Sequence, residues 1–153
     1  MLGKEEILQL ISDDATSERK RFARQGQRYY DGEHDILNYQ IYYYDADGQL
    51  QLDQFKSNIR ISHPFFTELV DQQVQYMLSG EGNIFRSDKP ELQTILDDYF
   101  DDDFYSEVYE LLTGTVSKGF EYLYASTGKD GKTRFGCADS IGVAEVRAKD
   151  TDD

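Results

Sequence analysis

The chain has 153 residues, 30 of them acidic and 16 basic, for a formal charge of −14, a length that suits one domain of ordinary size. Such acidity repels phosphate, so sequence-independent wrapping of nucleic acid by this chain alone is disfavoured. A single cysteine, Cys137, excludes an intrachain disulfide, no apolar run approaches bilayer length, and the N-terminus lacks the basic-then-apolar plan of a secretory signal; a soluble, cytoplasmically made protein is expected.

In chain order, Lys4 to Ile11 places Ile7, Leu8 and Ile11 at helical spacing, and Asp13 and Asp14 are expected to end that helix. A second helix is predicted from about Ser17 towards Tyr30, with Glu18 in its first turn, where negative charge meets the helix N-terminus favourably. On it Arg21, Arg24 and Arg28 fall at i, i+3 and i+7 as one basic stripe, enlarged by Arg19 and Lys20. The stripe reads as a docking surface for an acidic neighbour or as a solvated helix face.

From Asp35 to about Ile61 the character changes to β. Ile41 to Tyr44 is β-branched and aromatic, Asp47-Gly48 is a turn signal, and Leu50 and Leu52 alternate with polar residues. Ile59 and Ile61, alternating with Arg60 and Ser62, predict a short strand or extended entry. A helix is then expected with Ser62 as N-cap and Pro64 in its first turn. It carries Phe66, Leu69 or Val70, Gln73 or Val74, and Met77 along one face, and Gly80 is its left-handed stop.

Gly82 to Arg86 reads as extended. A helix follows from Asp88 and Pro90 with Leu92, Ile95, Leu96 and Tyr99 inward; Asp101 to Asp103 break it and give negative charge to the next, about Asp103 to Lys118. Gly119 to Ala125 and Thr133 to Cys137 predict a hairpin across the Gly128 to Gly131 turn. Ile141, Val143 and Val146 suggest one more short strand before the polar KDTDD tail. The fold class expected is α+β: amphipathic helices packed on short antiparallel strands and hairpins. No strongly periodic element remains to cover the last hairpin, so the chain reads as the front portion of a longer protein or an isolated domain of one.

No constellation for chemistry emerges. Asp97, Asp98, Asp101, Asp102 and Asp103 are crowded around a helix boundary, fan outward, and lack the glycine and closing Glu of an EF-hand. His34 and His63 are the only histidines, and nothing ties either to Cys137 or a serine, so neither a triad nor a zinc site can be argued. Gly114, Gly119 and Gly128 are too scattered for a phosphate cradle. The expectation is a non-enzymatic chain with no metal or cofactor. Its aromatic content is Tyr and Phe, twelve and nine, with no Trp; so many tyrosines suit either strand-on-strand packing within the domain or a core that continues into a subunit interface.

The order of five signatures carries more. RYYDGEHDI, YYYDADGQ, KSNIRISHPFFTELVDQQVQYMLSG, DDFYSEVYELLTGTVSK and KGFEYLY, from about Gly26 to the end, resemble in register the N-terminal part of tailed-phage portal proteins of the SPP1-like family. The residues that carry the likeness are Asp35, Ile36, Asn58, Val70, Asp71, Gln72, Gly80, Gly119, Glu121 and Tyr122. The resemblance implies an outer, wing-like α+β domain over residues 26–153 behind a helical segment over 1–25. It implies a structural subunit of a ring, a dodecamer in the full-length protein, at the capsid vertex where DNA is packaged and ejected. Terminase, capsid and scaffolding proteins and the head–tail connector are the implied partners, with DNA passing through without tight binding. The implied location is the virion, or the host cytoplasm during assembly. Arg21, Arg24, Arg28, Tyr29 and Tyr30 are the candidate subunit-interface residues. The stem, clip, tunnel loop and crown of the family lie further along its chains, so a truncated or prophage-remnant product is one expectation. An acidic DNA mimic that binds a basic protein and a divalent-metal hydrolase are the rival readings.

Overall fold

Helices supply most of the architecture. The computed structural model describes residues 3–80 and 84–146, and among them five α-helices are joined by two separate antiparallel strand pairs, an α+β arrangement.

Helix α1 spans Lys4–Thr16 and α2 spans Glu18–Tyr30. Contrary to the sequence expectation, Asp13 and Asp14 do not end α1. Asp13 is bonded sideways by Gln9 at 2.8 Å and Asp14 by Lys20 at 3.2 Å, so neither carboxylate turns back on the backbone to break the helix. Ser17 makes the corner instead. Its backbone N–H donates to the Asp14 carbonyl at 3.0 Å, and its hydroxyl accepts from the Lys20 N–H at 3.3 Å, so one residue closes α1 and caps α2.

Beyond α2, Gly32 at φ +82° redirects the chain into a 3₁₀ turn over Asp35–Asn38 and an arm made of β1 (Tyr42–Tyr44) and β2 (Leu50–Leu52). Their register pairs Tyr42 with Leu52 and Tyr44 with Leu50, across a turn in which Asp45 accepts from the backbone N–H groups of Asp47 and Gln49 at 3.0 and 2.8 Å. Of the short strand or extended entry expected at Ile59–Ile61, no strand forms. The alternation there is real but serves another purpose. Asn58, Arg60 and Ser62 donate to the carbonyls of Tyr39, Leu37 and Gly32 at 3.0, 2.5 and 3.1 Å, while Ile59 and Ile61 face outward, 80% and 66% exposed. The polar side of the alternation faces the protein, and it ties the arm to its root.

Helix α3, Phe65–Leu78, therefore starts without the Ser62 cap. Of the alternatives on its face, Val70 and Val74 are buried, whereas Leu69 and Met77 are exposed. Gly80 is not left-handed; the helix ends at Ser79 with the Ser79 hydroxyl on the Tyr76 carbonyl at 2.8 Å. Of the segment read as extended, Gly82 lies outside the described residues and residues 84–86 form no strand.

Helix α4 is Pro90–Tyr99, with Pro90 in the first turn. Leu92, Ile95 and Tyr99, expected inward, are exposed. Asp101 caps α5 (Asp102–Lys118) by accepting from the Phe104 N–H at 3.1 Å, and Gly119 ends it at φ +89°. Strands β3 (Tyr122–Thr127) and β4 (Thr133–Ala138) form the predicted hairpin. Among the described residues no strand follows: residues 139–142 turn, with the Gly142 N–H on the Asp139 carbonyl at 2.9 Å.

Helix α5 is the hub, packed by α2, α3 and β4. Gly26 of α2 lies directly on the Ser117 backbone, where an added Cβ would sit 2.0 Å from its carbonyl oxygen. Phe85, Phe100, Phe104 and Phe135 lock the α4–α5 corner to the hairpin, with ring centroids 4.0 Å (Phe85–Phe100), 4.8 Å (Phe100–Phe104) and 4.9 Å (Phe104–Phe135) apart. The core is small: Ala23, Val70, Val74 and Phe104 are its buried apolar residues.

Candidate assembly interface

Several of the signature residues are joints within the chain. Tyr29 and Arg28 both bond Asp35, on its two carboxylate oxygens. The Tyr29 hydroxyl, and after it the Arg28 charge, hold the Asp35 carboxyl below its ordinary 3.8. Tyr30 donates to Asp71 on α3 at 2.8 Å, and its own carbonyl accepts from Thr67 at 2.7 Å. Burial and the Asp71 contact push the Tyr30 phenol up to about 12. RYYDGEHDI and VDQQ, far apart in sequence, thus clasp α2 to α3. Val70 is buried in that seam, while Gln72, on the same helix, is exposed.

At the other end of α5, Gly119 provides the left-handed turn that brings Glu121 back beneath the helix. Glu121 accepts from the Ser140 N–H and pairs with Lys118, which also reaches Asp139 at 2.7 Å. Burial works against the charge on Lys118, but Asp139 and Glu121 outweigh it and raise its affinity for the proton. Tyr122 opens β3 opposite Ala138, edge-on to Phe120. Asn58 holds the arm, and Ile36 at its root and Gly80 beyond α3 are exposed.

The basic stripe is rearranged. Lys20 leaves it entirely. It is 2% exposed and donates to the carbonyls of Ser140, Ile141 and Val143 while pairing with Asp14. Arg19 lies over the Phe120 ring, 3.6 Å from its centroid. What remains is a groove of about 620 Å³ lined by Arg21, Arg24, Arg28, Ala15, Thr16, Gln25 and Asp35. Arg21 pairs with Glu18 at 3.2 Å, Arg28 with Asp35, and Arg24 donates to the Ala15 carbonyl at 3.0 Å.

Two further hollows contain no catalytic set. One of about 400 Å³ lies between α2, α5 and β4, lined by Tyr30, Thr113, Glu121 and Cys137 among others. Burial and then Glu121, Glu110 and Glu107 push the Cys137 thiol up, which disfavours the nucleophilic thiolate. The other, about 500 Å³, lies between Asp98, Asp101 and Asp103 on one side and Lys132 and Arg134 on the other. Among the described residues no group of His, Cys, Asp and Glu is arranged to hold a metal ion, and no helix is long and apolar enough to cross a membrane.

The remaining feature is apolar surface without cover. A compact protein of 17.7 kDa exposes about 8,000 Å²; this chain exposes 12,217 Å². Exposed large apolar side chains occur along the described chain, the arm and α1 among them. Register puts Tyr42, Tyr44, Leu50 and Leu52 on one face of the β1–β2 hairpin, all exposed. Phe55 is 96% exposed just beyond it, and α1 buries no residue at all. An isolated two-stranded hairpin is marginal in water, and contiguous exposed apolar surface marks association surfaces.

A family model described as "Phage portal protein, SPP1 Gp6-like" matches residues 9–151. The portal protein of Bacillus phage SPP1 is 37% identical to this chain over 107 residues, which is 70% of this chain and 21% of that protein. The chain belongs to the SPP1-like family of phage portal proteins. It spans about a fifth of the length of the curated relative it matches.

Proposed function

We propose that this chain is a structural part of a portal ring subunit, a wing-like piece that packs sideways against sister copies at the capsid vertex through which DNA enters and leaves the head. In that role terminase, capsid and scaffolding proteins and the head–tail connector meet the assembled ring, while the acidic surface keeps duplex DNA from sticking as it slides. No residue transforms a substrate; the work of the chain is to bury its faces.

The observation that carries this reading, beside family membership, is the uncovered apolar surface: an accessible area half as large again as a compact chain of this mass would show. Such a chain reaches its low-energy state only in an assembly. An acidic DNA mimic would share the −14 charge but has no use for an arm of exposed tyrosines and leucines. Electron microscopy of the whole purified polypeptide, with mass analysis of phage particles, tests the proposal. Closed rings and presence in particles are expected; a strictly monomeric polypeptide absent from particles refutes it.

A further inference from the structure

The β1–β2 arm and the α1–α2 groove are complementary in two independent ways. The arm presents one apolar face, Tyr42, Tyr44, Leu50 and Leu52, and an acidic tip. Asp45 and Asp47 sit in the turn, where no Lys or Arg falls anywhere between residues 42 and 52. The Gln49 backbone N–H and the Gln51 side chain hold the Asp45 carboxyl below its ordinary value, so the tip is charged at neutral pH.

The groove offers the opposite. Arg21, Arg24 and Arg28 line it, and Arg24, bonded to the Ala15 carbonyl, meets no carboxylate among the described residues. In a chain of net charge −14, three arginines along one helix face stand out as a site for carboxylates. An apolar stripe leads into it. Leu8, Ile11 and Ala15 share one face of α1 by their spacing, Leu8 and Ile11 are exposed, and Ala15 is part of the groove wall. Asp35, at the groove's margin, precedes the arm that leads away to the hairpin, and the exposure of the hairpin face shows that it is not folded back into its own groove.

We propose that the β1–β2 arm of one copy docks in the α1–α2 groove of a second copy, its Asp45–Asp47 tip on Arg21, Arg24 and Arg28 and its Tyr42/Tyr44/Leu50/Leu52 face along Leu8 and Ile11. The contact joins two different surfaces, so it is head-to-tail: every copy gives an arm and receives one, and the chain of contacts closes into a ring or continues as a filament. This docking deepens the ring-subunit reading and rests on it. Phosphate is the competing occupant of an arginine groove, and the overall negative charge weighs against it.

A charge swap between chains tests the docking, read by sedimentation velocity on the whole polypeptide with circular dichroism as a folding check. Arg24→Glu and Asp47→Arg are each expected to weaken self-association at least about tenfold. An equimolar mixture of the two variants is expected to recover it, because each groove then faces a tip of opposite charge; misfolding in either variant could not produce that recovery. Association unchanged by both reversals, or no recovery on mixing, overturns the docking while wild-type rings leave the ring reading standing. A wild type that never associates sinks both. Short duplex DNA, titrated by fluorescence anisotropy, decides the competing occupant: binding abolished by Arg24→Glu, with self-association untouched, overturns the proposal in favour of phosphate.

Discussion

Gly26→Ala is the sharpest test of how α2 and α5 meet. In an exposed helix interior this change stabilises by about 0.5–1 kcal/mol, because glycine loses more backbone freedom on folding. At Gly26 the new methyl carbon would lie 2.0 Å from the Ser117 carbonyl oxygen and 3.0 Å from its carbonyl carbon, against about 3.4 Å for the near edge of ordinary contact. The obstacle is backbone, so no rotamer relieves it and the helices must part by more than an ångström. Overpacking of this kind costs about 1–3 kcal/mol, which exceeds the propensity gain, and a net loss of about 1–2 kcal/mol is expected. With a urea slope of about 1–3 kcal/mol/M for a small protein, the unfolding midpoint should fall by roughly 0.3–2 M. Gly80→Ala is the control: nothing lies within 4 Å and the backbone is not left-handed, so its stability should stay within about 0.5 kcal/mol of wild type. A Gly26→Ala protein as stable as wild type, or more so, would refute the close crossing.

Lys20→Met should cost about 1–3 kcal/mol by leaving the carbonyls of Ser140, Ile141 and Val143 without their donor. Faster amide exchange at Gly142 and Val143 would report the loosened turn. Tyr30 binds its proton more tightly folded than unfolded. Its contribution to stability is therefore complete below its ordinary pKa of 10.0 and is lost as pH rises towards about 12. Phenolate absorbance should show one tyrosine in the last part of the titration, and Tyr30→Phe should remove it. Asp101→Ala deletes the cap on the Phe104 N–H and should lower stability by about 1 kcal/mol in denaturant titration, with the loss located in the first turn of α5 by hydrogen exchange.

Where an element is fixed by its own residues, the sequence was readable. Asp101 starts α5 because a carboxylate satisfies the first N–H groups, whereas Gly119, expected to open the hairpin, closes the helix because only glycine takes that turn without strain. Both hairpins followed from alternation around Gly48 and Gly131, each at positive φ. Two departures arise where a distant partner changes the meaning of a local pattern. Alternation of Ile59 and Ile61 with Arg60 and Ser62 predicts a short strand or extended entry because periodicity records that two sides differ, and cannot say that the polar side is the one facing the protein. Lys20 was counted in a solvent-facing stripe because nothing near it in sequence reveals the three carbonyls, some 120 residues away, that receive it. Gly26 and Gly114 did leave a signal: glycine inside a helical pattern marks close approach, here to Ser117 and Glu121.

Composition and local spacing determined the element types, the α+β class, and the ordered signatures that carry family membership, since these depend on contacts within a few residues. Tertiary structure alone decided that some of their residues form internal clasps, Tyr30 on Asp71 and Tyr29 with Arg28 on Asp35, and that the apolar faces of the arm and α1 stay uncovered. The physical reason is that a hydrogen bond or a buried face needs a partner in space, and a partner's position is a property of the whole folded chain.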